Sequence, residues 1–528
     1  MSERRAFRKI QDGPRAAGVI IPLFSCVSSA SWGIGEIPDI APLTEWMRGA
    51  ELSVLQMLPL NEMAAGQQSP YSAMSAMAID PIFLRVAGLE DFEALGGEAS
   101  LAPADRDALR TLRRSATIDY STVRRLKQSA LRAAFVRFVD VEWKHDTRRA
   151  KALRTFVTAQ AWWVEDYSVF RAIHAREHEH PWTEWSEELQ RREPAAIDRV
   201  RRELASEVLY YQYLQWLAAM QWHQVRHETN GVALFGDLPF MVDTDSADVW
   251  SRQHQFDLGV SIGAPPDAFS ADGQNWGTPL YRWDVIERES FHWLRERARR
   301  CADLFDGFRI DHLVGFYRTY VRQRNGHNYF SPSDEPSQTA QGERILDLFR
   351  ERGARIIAED LGVVPDFVRE SLARVKVAGL KVLRWEREWH TPGQPFRRPH
   401  DYPAESVAIS GTHDTDTLAE WWDSADRRER HLCAEIPGLR EAGCDPDAPF
   451  DDRLRDALLR ALFRAGSDIV IVPFQDLFGW RDRVNLPGVV NDENWTWQLP
   501  WPVDDLDTLP DARERAAFLS ALAQESGR

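Results

Sequence analysis

The chain has 528 residues, and 44% of them are hydrophobic, which is enough for one large core or for about three domains of ordinary size. It carries 65 basic and 81 acidic side chains, which give a net charge of −16. A chain this acidic is a poor candidate for binding nucleic acid or an anionic membrane. No apolar run approaches the roughly 20 residues that a membrane-spanning helix needs.

The N-terminal segment and the cysteines favour a cytoplasmic protein. Residues 1–9 are basic, but only a short apolar stretch from Gly18 to Phe24 follows, without a small-residue cleavage pattern, so we predict no signal peptide. The cysteines have no Cys-x-x-Cys spacing, which predicts reduced thiols rather than disulfides or a zinc site. The four are Cys26, Cys301, Cys433 and Cys444.

Short apolar runs recur along the chain, and helical patterns separate most of them. Continuous apolar runs are typical of strands buried on both faces, as in parallel sheets. Eight such strands alternating with helices predict the α/β class and a (β/α)₈ barrel. The predicted strands are Gly18–Phe24, Val54–Asn61, Ala233–Val242, Gly307–Leu313, Arg355–Gly362, Gly379–Glu386, Ser406–Asp414 and Asp468–Gly479.

The spacing of these strands is uneven and predicts a large insertion. Residues 1–61 hold the first two strands, and residues 62–232 contain charged amphipathic patterns typical of helices. We therefore expect a mostly helical insertion between strands 2 and 3. The rest of the barrel occupies 233–528, without a separate C-terminal domain, and Trp250–Leu304 is predicted to be a long loop followed by a helix.

Carboxylates stand where four predicted strands end, which in a barrel is the face that carries the active site. Arg309 and Asp311 alternate onto one face of the fourth strand, so the guanidinium is expected to keep Asp311 ionised, as a nucleophile requires. Glu359 follows an apolar stretch, which predicts the raised pKa of a general acid. Asp414 and Asp237 end two further strands.

Each of these carboxylates, taken alone, is explained as well by a helix N-cap or a loop ion pair. Four of them in this order are harder to explain in that way. Two carboxylates that face one bond are the apparatus of glycoside cleavage. The strand ends therefore favour chemistry on a glycosidic bond.

Short motifs spread nearly from end to end are found in one known family. The chain resembles the 4-α-glucanotransferases, also called amylomaltases or disproportionating enzymes. Each motif is weak by itself, but their joint order and spacing carry the resemblance. The motifs are Ser31–Gly35, Ser69–Tyr71, Gly236–Pro239, Asp245–Trp250, Pro265–Asp267, Gly273–Gln274, Trp276–Gly277, Pro279–Tyr281, Arg309–His312, Ala358–Gly362, Gly411–Asp414, Pro473–Leu477 and Asn491–Trp497.

The resemblance implies roles for individual residues. Asp311 is expected to be the nucleophile, Glu359 the general acid/base and Asp414 the third carboxylate, which binds ring hydroxyls and stabilises the transition state. Residues 263–272 match a mobile loop that arches over the cleft. The substrate-binding positions implied by the resemblance are Arg309, His413, Asp237, Tyr71, Trp276 and Asp267.

The implied reaction moves α-1,4-glucan segments between maltooligosaccharides through a covalent glucosyl-Asp311 intermediate, without a cofactor or a metal. Two inversions would retain the α configuration. Retention predicts carboxyl groups of Asp311 and Glu359 roughly 5–5.5 Å apart, against roughly 6.5–9.5 Å for an inverting pair.

Two other functions remain open from the sequence. A hydrolase of the same bonds would use the same carboxylates with water as acceptor, and a non-catalytic glucan-binding protein could retain the barrel. Ala268, Thr278 and Thr415 depart from residues common in the family. These departures leave acceptor preference and the ratio of transfer to hydrolysis open.

Two further motifs are weaker. His174, His178 and His180 lie close in sequence, but an exposed helix end before Pro181 explains them better than a metal site. Gly259–Gly263 has the spacing of a serine nucleophile elbow, although Pro265 and Pro266 follow where that elbow needs a helix.

Overall fold

The computed structural model describes residues 15–64, 66–229, 231–266, 272–489 and 491–528. The strands within these ranges are β1 Ala16–Ile20, β2 Val54–Gln56, β3 Ala233–Leu238, β4 Phe256–Asp257, β5 Ser261–Ala264, β6 Gln274–Asn275, β7 Leu280–Tyr281, β8 Gly307–Ile310, β9 Thr319–Arg322, β10 Tyr329–Ser331, β11 Arg355–Ala358, β12 Ala378–Val382, β13 Ser406–Ile409 and β14 Ile469–Pro473.

Eight parallel strands close into a barrel in the order β1-β14-β13-β12-β11-β8-β3-β2, which confirms the predicted fold. The barrel closes where β1 pairs with β14, with Ala16 opposite Ile469. All five residues of β14 are buried, as expected of a strand covered on both faces.

All eight predicted barrel strands extend beyond the carboxyl ends of the observed ones. The fourth was predicted to reach Leu313, but β8 ends at Ile310, and the sixth was predicted to reach Glu386, but β12 ends at Val382. The chain leaves the sheet at these points, which frees the polar residues that follow for the face above the barrel. The first strand was predicted to begin at Gly18, whereas β1 begins at Ala16.

Helices surround the barrel. The α-helices are Ile40–Gly49, Glu90–Glu93, Pro103–Leu112, Tyr120–Val141, Arg148–Ala159, Ala161–Arg176, Glu187–Gln190, Pro194–Glu203, Ala205–Glu228, Ala247–Ser251, Trp283–Arg288, His292–Leu304, Val314–Tyr317, Glu335–Arg350, Asp366–Val375, Leu418–Ser424, Arg427–Ala434, Pro437–Ala442, Asp452–Phe463, Phe474–Phe478 and Pro510–Ser526.

The long segment between β2 and β3 is largely helical, as predicted. It packs directly on the barrel. Its buried Lys127 ammonium lies 2.7 Å from the Glu36 carboxylate, and the Trp222 indole donates a hydrogen bond of 3.0 Å to the Leu304 carbonyl. The division of the chain into units at residues 61 and 232 stays a prediction.

The predicted long loop from Trp250 contains more structure than expected. An antiparallel sheet in the order β10-β9-β5-β6 rises above the barrel, and β4 pairs with β7 beside it. The Gly-x-Ser-x-Gly motif ends in β5, so Ser261 lies in a strand of that sheet and not at a strand-to-helix elbow. Sequence periodicity misses these strands because they have only two to four residues each.

Among the residues that the structure describes, no helix is long and apolar enough to cross a membrane. In the same residues, no group of three or more His, Cys, Asp and Glu side chains could hold a metal ion. His178 and His180 are exposed, as expected. His174 is not: it is buried between Glu179 and Asp245, at 2.8 and 3.0 Å.

Candidate active site

The carboxyl ends of four barrel strands bring the predicted charged residues together. Asp237 lies in β3 and Arg309 in β8, directly opposite one another across the parallel ladder. Asp311 follows β8, Glu359 follows β11 and Asp414 comes five residues after β13. Since neighbouring strands carry Asp237, Arg309 and Glu359, their side chains meet at the carboxyl-terminal end of the barrel.

Arg309 is the centre of this group, and its side chain is only 3% exposed. Its Nη2 donates to Asp237 Oδ2 at 2.7 Å and to Asp311 Oδ1 at 2.9 Å. Its Nη1 lies 3.2 Å from Glu359 Oε2. One planar guanidinium therefore holds the nucleophile and the acid/base candidates side by side.

The two key carboxyls differ in their surroundings. Burial raises the pKa of Glu359, but the Arg309 charge and a 2.6 Å hydrogen bond from the His312 N–H outweigh it, so this pKa is lowered. Burial raises the pKa of Asp311 well above its ordinary value, and the charges of Glu359, Asp237 and Asp414 add to the effect of burial. Arg309 offsets this only partly because it also serves two other carboxylates.

These directions are the reverse of the sequence prediction. We expected Asp311 to have the low pKa because Arg309 is its neighbour on the strand. In the structure Arg309 is shared with Asp237 and Glu359, and no backbone N–H of the described residues donates to the Asp311 carboxylate. We expected Glu359 to have the high pKa because an apolar stretch precedes it, but its carboxylate accepts the N–H of His312.

Asp414 is held by residues that the sequence analysis missed. The side-chain amide of Asn485 donates to Asp414 Oδ1 at 2.6 Å, and Arg483 donates to the Asp414 carbonyl at 3.1 Å. Both lie on the loop after β14, about 70 residues beyond Asp414 in sequence. No motif marks them, and only the pairing of β13 with β14 brings this segment beside Asp414.

Tyr71 and His413 form a second layer of the site. The Tyr71 hydroxyl donates to Asp237 at 2.7 Å, accepts from Arg309 at 2.8 Å and lies 3.1 Å from His413 Nε2. The two rings are stacked with centroids 5.4 Å apart, and Trp495 flanks both. Burial raises the pKa of the Tyr71 hydroxyl and lowers that of His413, which favours the neutral form of both side chains.

A cleft of about 680 Å³ opens above these residues, and Glu359 and Asp414 line it. Trp276 forms part of its wall and meets the His312 ring edge to face, with centroids 4.7 Å apart. His312 has a left-handed backbone (φ 42°), and its side chain also lines the cleft. A cleft of this size, with aromatic walls and carboxylates at its floor, suits a carbohydrate chain.

The remaining expectations have mixed outcomes. The expected covering loop, residues 263–272, lies partly outside the described residues, and Asp267 and Ala268 fall in that part. Thr415 lines the cleft, and its hydroxyl accepts the Thr412 N–H at 2.9 Å. The hydroxyl of Thr278 is buried and has no hydrogen-bond partner among the described residues.

The order of these residues along the chain agrees with one family over most of its length. A family model described as 4-alpha-glucanotransferase matches residues 21–504. The chain belongs to the 4-alpha-glucanotransferase family. As a member it is an enzyme that transfers glucan segments, which confirms the activity predicted from the motifs.

Curated 4-alpha-glucanotransferases match nearly the whole chain. The protein of Thermus thermophilus is 31% identical over 511 residues, which are 92% of this chain and 95% of that one. The Synechocystis protein is 32% identical over 504 residues, which are 92% and 94% of the two chains. Among solved structures, an amylomaltase from Streptococcus agalactiae in complex with acarbose has a TM-score of 0.81 at 25% identity, covering 97% of this chain and 99% of that one.

Proposed function

We propose that the chain is a retaining transferase that acts on maltooligosaccharides through a covalent glucosyl-Asp311 intermediate. The observation that carries the proposal is the pairing of Asp311 and Glu359 on adjacent nitrogens of Arg309, at 2.9 and 3.2 Å. We expect two carboxyls on one guanidinium to have the separation of roughly 5–5.5 Å of a retaining pair, in which one attacks and the other donates a proton, and not the roughly 6.5–9.5 Å of an inverting pair.

In the first step, an Asp311 oxygen attacks the anomeric carbon while Glu359 gives its proton to the leaving glycosidic oxygen. In the second step, Glu359 removes the proton from the 4-hydroxyl of an acceptor sugar, and that oxygen displaces Asp311. Asp414, fixed by Asn485, is placed to bind ring hydroxyls of the sugar that reacts.

The proton must sit on Glu359 when the donor is bound, although the free site favours Asp311. A pair of interacting carboxyls titrates as a unit, and one proton is enough for both roles. The glycosidic oxygen is a hydrogen-bond acceptor, so its approach favours the protonated form of Glu359, which can donate to it. Positive charge at the anomeric carbon favours the ionised form of Asp311.

Transfer instead of hydrolysis requires that water be kept from the intermediate. The sheet β10-β9-β5-β6 supplies one wall of the cleft through Ala264, Gln274, Tyr320 and Phe330. We infer that this wall shields the intermediate from water until an acceptor arrives. A cytoplasmic location stays a prediction from the N-terminal sequence.

The deciding experiment is a product analysis on pure maltotriose, resolved by chain length over time. We expect a growing ladder of longer oligomers together with free glucose. Glucose and maltose alone, with reducing ends increasing, would mean hydrolysis and contradict the proposal.

The variant Asp311→Asn tests the nucleophile. Its transfer activity should fall by orders of magnitude while glucan binding is retained, because the amide keeps the shape but cannot attack. Transfer at the normal rate would remove Asp311 from this role. Mass spectrometry of the wild-type enzyme trapped with a fluorinated maltosyl donor should find a fluorinated maltosyl adduct on Asp311.

A further inference from the structure

A second aromatic feature lies just outside the cleft. Residues 386–397 form a hairpin after β12, which we call the 386–397 hairpin. Arg387 pairs with Phe396 as an antiparallel bridge, and the Glu388 N–H donates to the Pro395 carbonyl at 2.9 Å. Trp389 stands towards its tip with 58% of its surface exposed, the largest exposed fraction of any tryptophan in the described residues.

The hairpin is built to hold that exposed ring in place. The Arg387 side chain is only 10% exposed, and its Nε donates to the Gln394 carbonyl at 2.8 Å. Its guanidinium covers the Phe396 ring at 4.1 Å and lies 6.0 Å from the centroid of Trp389. A tryptophan on a fixed support presents a flat apolar face to solvent at a cost in free energy, which favours a role in binding.

The same contacts place Trp389 beside the cleft. Arg387 Nη1 lies 3.6 Å from Glu429 Oε1, and Glu429 lines the cleft. Trp385, four residues before Trp389, also lines the cleft and is 39% exposed. A chain that leaves the cleft past Trp385 and Glu429 therefore meets the 386–397 hairpin next.

We propose that Trp389 is a stacking platform for the outer glucose units of a long α-glucan, and that it makes the enzyme prefer longer chains. The inference rests on the proposed function, since it assumes an α-glucan in the cleft. A short oligosaccharide that fits between Glu359 and Trp385 does not reach Trp389. A longer chain gains the contact between sugar ring and indole.

The test compares Trp389→Ala with the wild type across maltotriose to maltoheptaose. We expect kcat/KM on maltotriose to be unchanged. On maltoheptaose we expect kcat/KM to fall about tenfold through a higher KM, because the loss of one contact between a sugar ring and the indole weakens binding by about this factor. Trp389→Phe should recover most of the loss, because it keeps an aromatic face. Val136→Ala, a residue of similar exposure in the helical insertion, is the matched control and should change neither value.

A direct binding measurement keeps the test independent of turnover. In an Asp311→Asn background, Trp389→Ala should weaken maltoheptaose binding about tenfold by calorimetry and leave maltotriose binding unchanged. An equal effect on both sugars, or no effect on either, would overturn the inference. If the wild type forms products of greater chain length from neither maltotriose nor maltoheptaose, the proposed function fails instead, and the calorimetry still decides whether Trp389 binds long glucans.

Discussion

Arg309 gives the site its charge balance, because one guanidinium serves Asp237, Asp311 and Glu359. The pH profile of the enzyme should show this balance. The active form of the pair carries one proton, so activity falls on the acid side when both carboxyls are protonated and on the alkaline side when both are ionised.

Burial and the charges of Glu359 and Asp237 raise the pKa of Asp311, and the Asp414 charge raises it further. Asp414→Asn removes that charge, so Asp311 loses its proton at lower pH. We expect the alkaline limb of the residual kcat/KM to move to lower pH, in addition to a large fall in rate. The measurement is kcat/KM against pH, with Asp507→Asn as a distant control. A limb that moves to higher pH would contradict the assignment.

Asn485 is a positioning residue for Asp414, since its amide donates to Oδ1 at 2.6 Å. Asn485→Ala should lower kcat about 10–100-fold, because a misplaced catalytic group can cost about 10²-fold. KM and the melting temperature should change little. Steady-state kinetics and thermal unfolding check this, with Asn325→Ala in an exposed turn as control. A variant with normal kcat would show that Asp414 holds its position without Asn485.

At the scale of elements, the sequence predicts the barrel strands far better than the short strands of the antiparallel sheet above the barrel. The continuous apolar run of β14 is typical of a strand buried on both faces, so its type is readable without the structure. The polar pair Gln274–Asn275 forms β6 only because β5 lies next to it. Asn485 was missed for a related reason: its partner Asp414 is distant in sequence and no local pattern joins them.

Gly263 shows how closely β5 and β6 approach. A Cβ at this position would lie 1.8 Å from the Gln274 carbonyl oxygen. Gly263→Ala should therefore push β6 away and shift Trp276, whose N–H donates to the Ile262 carbonyl at 3.0 Å. We expect a severalfold higher share of hydrolysis in the products on maltotriose, because the wall of the cleft opens to water.

Gly438→Ala is the control for this variant. The nearest atom to its new methyl group is 3.8 Å away, an ordinary contact, so the products should not change. An unchanged ratio of hydrolysis to transfer in Gly263→Ala would show that this sheet does not exclude water.

At the scale of the whole molecule, the insertion and the barrel are joined by a buried charge. Lys127 is 1% exposed, lies 2.7 Å from Glu36 and donates to the Ile82 and Leu84 carbonyls at 2.6 and 2.8 Å. Lys127→Met removes the side-chain donor of the buried Ile82 and Leu84 carbonyls, while Glu36 keeps its pair with Arg85. The variant should cost about 2–5 kcal/mol of stability, because two buried carbonyls lose a hydrogen bond. Thermal unfolding measures the loss.

The matched control is Lys144→Met, which breaks an exposed pair with Asp140 and should cost less than about 1 kcal/mol. Equal melting temperatures for the two variants would show that the buried pair does not hold the insertion to the barrel.

The pairing of β1 with β14 has a consequence for synthesis. Ala16 bonds with a strand that begins at Ile469, so the ribosome must add about 450 residues before the barrel can close. At a translation rate of roughly 5–20 residues per second, one edge of β1 stays unpaired for between about 20 and 90 s. A nascent chain in that state offers a free strand edge to other chains, so chaperone demand and aggregation should peak before translation ends and not after release.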